Sequence, residues 1–409
     1  MNRRVVITGM GAVSPIGNNI SDMWESAKSG KNGIVPITSF DAANFSVKLA
    51  AEVNIDPKEY LPPAELRKMD RFTILGLIAA QEAFKDSGIT SENTDFNRAG
   101  VVVSSGIGGL ITIEREHEKG MTRGYDRISA MFIPMAIANM AAGRISILTG
   151  FKGYSYAPLT ACAGGTNAIG DAARQIRHGY ADVIMAGGTE GCISPLAIGG
   201  FSAVGALHKG DNPDRASIPF DKERSGFVIG EGAGMLVLEE LEHAKKRGAK
   251  IYAEITGYSA TNDAYHITAP DPEAKGGARA MTEAIEDAGL TLSDIGYINA
   301  HGTSTELNDK GETKAVKDVF GGLAKNIPIS STKSMTGHLL GAAGAIEAIM
   351  CVKALTDSFL PPTINYNVND DDCDLDYIPK QGRSAQIKHA MSNSLGFGGH
   401  NAVLVISKV

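Results

Sequence analysis

Apolar residues in this chain cluster on consecutive positions within short segments. Val5-Val6-Ile7, Val101-Val102-Val103, Val183-Ile184-Met185-Ala186 and Met235-Leu236-Val237-Leu238 all read this way. A strand with one face in water alternates apolar and polar residues, whereas a strand covered on both faces does not. The pattern therefore predicts sheets buried between helices. Stretches rich in Ala and Gly follow Cys162 and His338. Their small side chains read as helices, the one after Cys162 buried, and some of the Ala- and Gly-rich helices are expected to lie between two sheets.

The pattern occurs twice. Gln81-Glu82-Ala83-Phe84-Lys85-Asp86-Ser87-Gly88 resembles Thr282-Glu283-Ala284-Ile285-Glu286-Asp287-Ala288-Gly289, offset by 201 residues (Glu82 to Glu283, Gly88 to Gly289). Each copy reads as a helix followed by a loop and an apolar strand, at 100–105 and 296–301. Each half also has a later small-residue helix. A unit this long is not a solenoid repeat, so the sequence predicts two similar α/β halves. The join is placed after a charged helix at 239–246, giving halves of 1–249 and 250–409. Residues 251–255 are expected to open the second half as a strand.

Composition narrows the function. The net charge of -7 argues against general nucleic-acid binding, which needs a basic face. Four cysteines without paired spacing indicate neither a disulfide framework nor a zinc site, and no metal is expected. The apolar run after Met1-Asn2-Arg3-Arg4 is too short for a signal peptide and reads as a buried first strand. No apolar stretch reaches the roughly 20 residues that span a bilayer, so a reducing, cytoplasmic setting is expected. The acidic run at 369–374 lacks calcium-loop spacing and reads as a solvated loop. Gly9-Met10-Gly11 tempts a dinucleotide reading, but Ser14 replaces the third glycine and Pro15 follows. Residues 226–234 lack the Lys-Ser/Thr of a phosphate loop and read as a tight loop feeding a strand.

Candidate chemistry gathers on three residues. Cys162 stands where a loop turns into a helix, near unpaired backbone N–H groups that favour a thiolate. A thiolate is a nucleophile. His301, in Asn299-Ala300-His301-Gly302-Thr303, and His338, in Thr336-Gly337-His338-Leu339, lie beside glycines at apparent element ends. The remaining histidines read as structural. One such cysteine with two such histidines suits acyl transfer through a thioester.

Together these motifs resemble the β-ketoacyl-[acyl carrier protein] synthases, specifically the chain-elongating type II members. The likeness rests on Thr160-Ala161-Cys162-Ala163, His301-Gly302-Thr303-Ser304-Thr305, Lys333-Ser334-Met335-Thr336-Gly337-His338 and Gly396-Phe397-Gly398-Gly399. It implies an α/β thiolase-like fold, with two pseudo-symmetric halves in a five-layered αβαβα arrangement, and a homodimer. Carried over, Cys162 takes the acyl chain, and His301 and His338 stabilise the enolate formed as malonyl loses carbon dioxide. Lys333 organises the site with an acidic partner, for which Glu347 is the candidate. Backbone N–H groups of Cys162 and Phe397 form an oxyanion hole, and Phe397 gates the acyl pocket. Ile107 and Phe201 belong to that pocket, while Thr303 and Thr305 hold the phosphopantetheine arm.

The resemblance implies no cofactor beyond that arm, which acyl carrier protein brings. Carrier proteins are acidic, so docking calls for a local basic surface; Arg67, Lys68, Arg71, Arg127 and Lys209 are candidates. His400 stands where many relatives carry Thr, and it is left out of the catalytic set. Thiolases need a second cysteine near the carboxyl terminus, which the loop at 396–400 lacks. Initiating synthases use Cys-His-Asn, and a chain-length partner lacks the cysteine. A polyketide ketosynthase subunit, which has the same triad, remains the alternative.

Overall fold

The computed structural model describes residues 3–409, so Met1 and Asn2 lie outside the described residues. Ten strands form one hydrogen-bonded array. In chain order they are β1 (Val5–Val13), β2 (Ala99–Ser104), β3 (Ser155–Tyr156), β4 (Val183–Glu190), β5 (Gly232–Glu240), β6 (Ala253–Asn262), β7 (Tyr297–Asn299), β8 (Ile329–Ser330), β9 (His389–Gly396) and β10 (His400–Ser407). Outward from the centre, one side runs β1-β5-β4-β2-β3 and the other β6-β10-β9-β7-β8. The two orders are the same, first-fifth-fourth-second-third. Directions match as well. β1/β5 and β5/β4 are antiparallel while β4/β2 and β2/β3 are parallel, and β6/β10, β10/β9, β9/β7 and β7/β8 repeat that sequence. The pairs Val6–Glu254 and Ile7–Ala253 join the two sets.

Six helices complete five layers. α1 (Arg71–Ser87) and α2 (Met140–Thr149) cover the outer face of the first set. α4 (Lys275–Asp287) packs on β6 and β10 of the second set, with α5 (Glu306–Phe320) against it. Between the sets lie α3 (Gly164–Arg177) and α6 (Ala343–Asp357), each touching strands of both. These are the Ala- and Gly-rich helices after Cys162 and His338. Their enclosure explains their composition: the small residues are buried, and the exposed side chains, Arg174 in α3 and Thr356 and Asp357 in α6, lie toward the C-terminal ends. Ile169, Ile176, Ile346, Ile349, Leu236 and Leu404 meet in this middle layer, all at most 1 % exposed. The duplicated sequences also behave alike: Gly88 caps α1 at φ 63° and Gly289 follows α4 at φ 66°. Both occupy the left-handed region, where a Cβ is costly.

Several boundaries differ from the sequence reading: the strands expected at 100–105 and 296–301 cover Ala99–Ser104 and Tyr297–Asn299. Glu239 and Glu240 belong to β5, and the helix that follows covers Leu241–Lys246. Glu239 is buried and bonded to Arg247, His243 and Thr8, so its charge is satisfied while its backbone continues the ladder. β6 starts at Ala253, two residues later than expected.

The middle layer is close-packed at glycine. A Cβ on Gly344 of α6 would lie 2.1 Å from Thr166 Oγ1 and 2.7 Å from Thr166 N of α3. Gly344→Val should therefore lower the unfolding midpoint, since overpacking costs about 1–3 kcal/mol. An unchanged thermal melt would show that the two helices can separate freely.

Candidate active site

Cys162 lies in the 3-10 turn Ala161–Ala163 that leads into α3. Ala161 holds φ 49°, a left-handed conformation that an L side chain adopts at a cost of about 1–2 kcal/mol. The turn is braced from two sides. Thr160 donates to Asn167 Oδ1 at 2.6 Å, and Asn167 donates to the buried Tyr258 hydroxyl at 2.7 Å. From the other side, Gly396 approaches so closely that a Cβ there would lie 3.2 Å from the Cys162 nitrogen.

Phe397 is the first residue of the tight loop between β9 and β10, which pair up to Gly396 and His400. Gly398 and Gly399 complete the loop at φ 84° and 72°. The backbone N–H groups of Phe397 and Cys162 favour the charged form of the sulfur and pull its pKa down. Sequence reasoning expected these groups to yield a thiolate; the structure reverses that. Burial pushes the thiol up to about 12, outweighing the pull of the Lys333 charge and the two N–H groups. Cys162 rests as a thiol.

His301 and His338 are each 2 % exposed, with rings edge-to-face at 5.2 Å. Lys333, only 1 % exposed, directs its ammonium at three acceptors. They are the His301 carbonyl (2.6 Å), His301 Nδ1 (3.3 Å) and the Glu347 carboxylate. Three protons meet three acceptors, so His301 Nδ1 is an acceptor and its proton sits on Nε2. The Leu340 N–H donates to His338 Nδ1 at 3.3 Å, which fixes the same tautomer there. Burial, reinforced by the Lys333 charge, holds both histidines well below their ordinary pKa. Both are therefore neutral, with a single N–H each to offer.

Cys162, His301, His338, Thr303, Thr305, Phe201 and Phe397 line one cavity of about 580 Å³. The Thr303 and Thr305 hydroxyls bond each other at 2.9 Å. Phe201, on the helix Pro195–Ala203, packs edge-on to Phe227, which packs edge-on to His338. Ile107 is not on the cavity wall. It packs into the adjoining apolar cluster with Cys162, Phe201, Cys192 and Leu340.

The basic candidates separate. Arg67, Lys68, Arg127 and Lys209 are exposed, with Lys68 paired to Glu65 at 2.8 Å. Arg71 is a correction. Its guanidinium grips the buried Glu231 with two bonds of 2.5 Å and the Val53 carbonyl with a third, so it is not a free surface cation. His400 begins β10 opposite Asn262.

Several supporting residues escaped the sequence reading. Glu312 on α5 accepts from the N–H groups of His301 (2.9 Å) and Gly302 (2.8 Å), and Asn393 donates to it at 3.1 Å. Val228 and Gly230, in the glycine-rich loop set aside as a false phosphate motif, clasp His338 through backbone bonds of 2.7 and 2.9 Å. Glu190, fully buried, receives donors from Ser105, Gly106 and Gly341. A glutamate in an apolar strand context, as at 183–190, was the available signal. Behind His301, the oxygens Asn299 Oδ1, Glu347 Oε2, Ser392 Oγ and Asn393 Oδ1 have no hydrogen-bond partner among the described residues.

Burial raises Glu190 and Glu312 each to about 7, against the pull of their donors. A carboxyl raised on folding contributes stability below its unfolded pKa and loses that contribution as pH rises through its folded pKa. Melting Glu190→Gln beside the parent from about pH 5 to about pH 8 should show the variant gaining, levelling above the folded value. A constant difference across that range would mean that Glu190 is ionised throughout.

No helix among the described residues is long and apolar enough to cross a membrane. The chain is 52 % identical over 408 residues to a protein of Staphylococcus aureus called 3-oxoacyl-[acyl-carrier-protein] synthase 2, covering 100 % of this chain and 99 % of that one. A protein of the same name from Coxiella burnetii is 51 % identical over 409 residues, again covering 100 % and 99 %. Among solved structures, a beta-ketoacyl synthase from Burkholderia phymatum superposes with a TM-score of 0.92 at 35 % identity, covering both chains fully. The ketosynthase of a type II polyketide synthase, solved with its acyl-carrier protein and bound to the hexaketide, reaches 0.93 at 38 % identity over 100 % of both chains. The duplicated five-layered architecture, the thiol, and residues 2–244 and 252–367 matching the N- and C-terminal domains of beta-ketoacyl synthase agree: the chain belongs to the beta-ketoacyl synthase family.

Proposed function

We propose that the chain catalyses the elongating condensation of type II fatty acid synthesis. Malonyl-[acyl carrier protein] and an enzyme-bound acyl chain give 3-oxoacyl-[acyl carrier protein] and carbon dioxide. The observation that carries this reading is the pair of neutral, Nε2-protonated histidines facing one cavity with a cysteine. Full-length identity to relatives named for this activity supports it.

In the first half-reaction the Cys162 sulfur attacks the acyl thioester. The carrier's thiolate leaves and takes up the proton that Cys162 gives, so the charge balances. The N–H groups of Cys162 and Phe397 hold the carbonyl oxygen while it bears negative charge. In the second half-reaction the malonyl thioester oxygen lies between His301 and His338. Their two N–H groups stabilise the enolate as carbon dioxide departs. Its carbon then attacks the acyl carbonyl and Cys162 leaves as a thiolate, which takes up a proton from water. Neutral donors suit this step, because an imidazolium would protonate the enolate and waste it. Lys333 and Glu347 are positioning residues that set His301.

Thr303 and Thr305 hold the phosphopantetheine arm, Phe201 bounds the acyl pocket, Ile107 closes it from the apolar cluster that adjoins the cavity, and Phe397 gates it. The substrates arrive on the arm, so the reaction calls for no further cofactor. Arg67, Lys68, Arg127 and Lys209 present the basic surface for the acidic carrier. The chain divides at 249/250, with the nucleophile in the first half and both histidines in the second. A second copy pairs at the open edge of β3, where Ile147, Leu159 and Tyr154 are 77 %, 61 % and 40 % exposed. Four free thiols fit a reducing cytoplasm. A polyketide ketosynthase is the second reading, favoured by the fold likeness to such an enzyme. Product analysis with acyl- and malonyl-carrier protein separates a single 3-oxoacyl product from a polyketide.

Cys162→Ala should lose the covalent mass increase with acyl-carrier protein. His301→Ala and His338→Ala should still acylate while losing about 10²–10³-fold in malonyl decarboxylation, the scale of a removed oxyanion donor. Parent-rate decarboxylation in both histidine variants would overturn their roles. Ile107→Phe should discriminate against long primers by roughly 5- to 150-fold, the rate equivalent of about 1–3 kcal/mol of overpacking. Extension of six-, ten- and fourteen-carbon primers checks this, and a uniform loss across the three refutes it.

A further inference from the structure

Glu190 ends β4 at 0 % exposure, and its hydrogen-bond partners include no cation. A buried carboxylate in that state is expensive, and an apolar side chain would serve the core better. What Glu190 does have is donors from two separate segments. Oε1 accepts from Ser105 Oγ at 3.0 Å and the Ile107 N–H at 3.4 Å. Oε2 accepts from the Gly106 N–H at 2.7 Å and the Gly341 N–H at 3.0 Å. The first segment carries Ile107. The second is the turn after His338, where Leu340, next to Gly341, donates to His338 Nδ1.

The two segments touch directly as well. A Cβ on Gly341 would lie 2.3 Å from Gly106 N, and one on Gly106 would lie 2.8 Å from Glu190 Oε2. Neither segment can shift without the other feeling it, and the carboxylate is the group bonded to both.

We propose that Glu190 is a positioning residue that couples the acyl pocket to the malonyl side of the site. This rests on the reaction proposed above. A chain that displaces Ile107 draws the Gly106 and Ile107 N–H groups away from the carboxylate. Oε2 then serves Gly341 alone, which tightens the turn and the Leu340 bond that orients His338. Filling the acyl pocket thereby prepares the donor for decarboxylation, so that malonyl is spent when an acyl chain is ready to receive it.

The test separates occupancy from condensation. Cys162 is alkylated with iodoacetamide, leaving the acyl pocket empty, or with N-decyl iodoacetamide, filling it. Carbon dioxide release from malonyl-carrier protein is then measured on each. The parent should release it about tenfold faster with the decyl group, a coupling typical of linked sites. In Glu190→Ala this ratio should fall to about one. Glu190→Gln, which keeps an oxygen for Gly106 and Gly341 but loses the charge, should fall between. Each ratio is taken within one protein, so partial loss of folded material cancels. Should Glu190→Ala not fold, Glu190→Gln, which removes a buried charge, carries the test. A parent ratio of one, or Glu190 variants that keep the parent's ratio, overturns the coupling. If no form of the parent releases carbon dioxide, the proposed reaction fails instead.

Discussion

The Lys333 ammonium is held where water cannot reach, so each of its protons must find an acceptor within the protein. It takes the His301 carbonyl, His301 Nδ1 and Glu347, which come from different segments: the loop after β7 and the buried helix α6. That single constraint fixes how far the loop stands from the helix and which nitrogen of His301 carries hydrogen. It also holds the ring neutral, because a second positive charge beside Lys333 in a dry site is unfavourable. Geometry, tautomer and charge state of the donor thus follow from one buried cation. Neutralising Lys333 would release all three together, which is why it is better described as a positioning residue than as a proton donor.

The same logic recurs with the sign reversed. Glu312 gathers the N–H groups of His301 and Gly302, and Glu190 gathers those of Gly106, Ile107 and Gly341. Loops between buried strands leave backbone N–H groups without ladder partners, and such groups are costly unless paired. A buried carboxylate pairs several at once. Its own desolvation is part of the cost, visible in pKa values raised to about 7 for both. The site is therefore built from polar groups that the core would be more stable without. Glycine completes the arrangement. Gly106 and Gly341 allow two loops to meet at a carboxylate, and Gly396 allows the Phe397 loop to reach the cysteine turn.

Much of this was legible in the chain. Consecutive apolar residues marked β1, β2, β4 and β5 as doubly covered, and the expectation that some Ala/Gly-rich helices lie between two sheets is met by the helices after Cys162 and His338. The offset between Glu82 and Glu283 anticipated a duplication that the strand orders repeat. The three residues chosen from their glycine neighbours meet in one cavity. What stayed hidden depends on contacts between distant segments. Nothing local distinguishes Arg71, locked to Glu231, from an exposed arginine one turn earlier such as Arg67. Nor does the sequence say that residues 228–230 clasp His338, because that bridge exists only once the second-half loop returns against the first.

The thiol shows the limit of local reasoning most clearly. A cysteine at a helix start has N–H groups and a dipole in its favour, and the sequence reading followed them to a thiolate. The fold adds what the local segment cannot know: the turn before α3 sets the half-buried Cys162 against a protein-walled cavity, where its sulfur is desolvated. Desolvation wins. Yet a high thiol pKa is compatible with catalysis here. Thiolate nucleophilicity rises with basicity, and the group that leaves is another thiolate of ordinary pKa. The N–H groups of Cys162 and Phe397 need not ionise the resting sulfur to contribute. In the proposed transfer they serve the negative charge that develops, first on sulfur and then on the thioester oxygen, and a dry site makes such donors stronger. A resting thiolate would also draw on those same donors and dull them for the transition state. Keeping Cys162 protonated reserves them for the step that needs them.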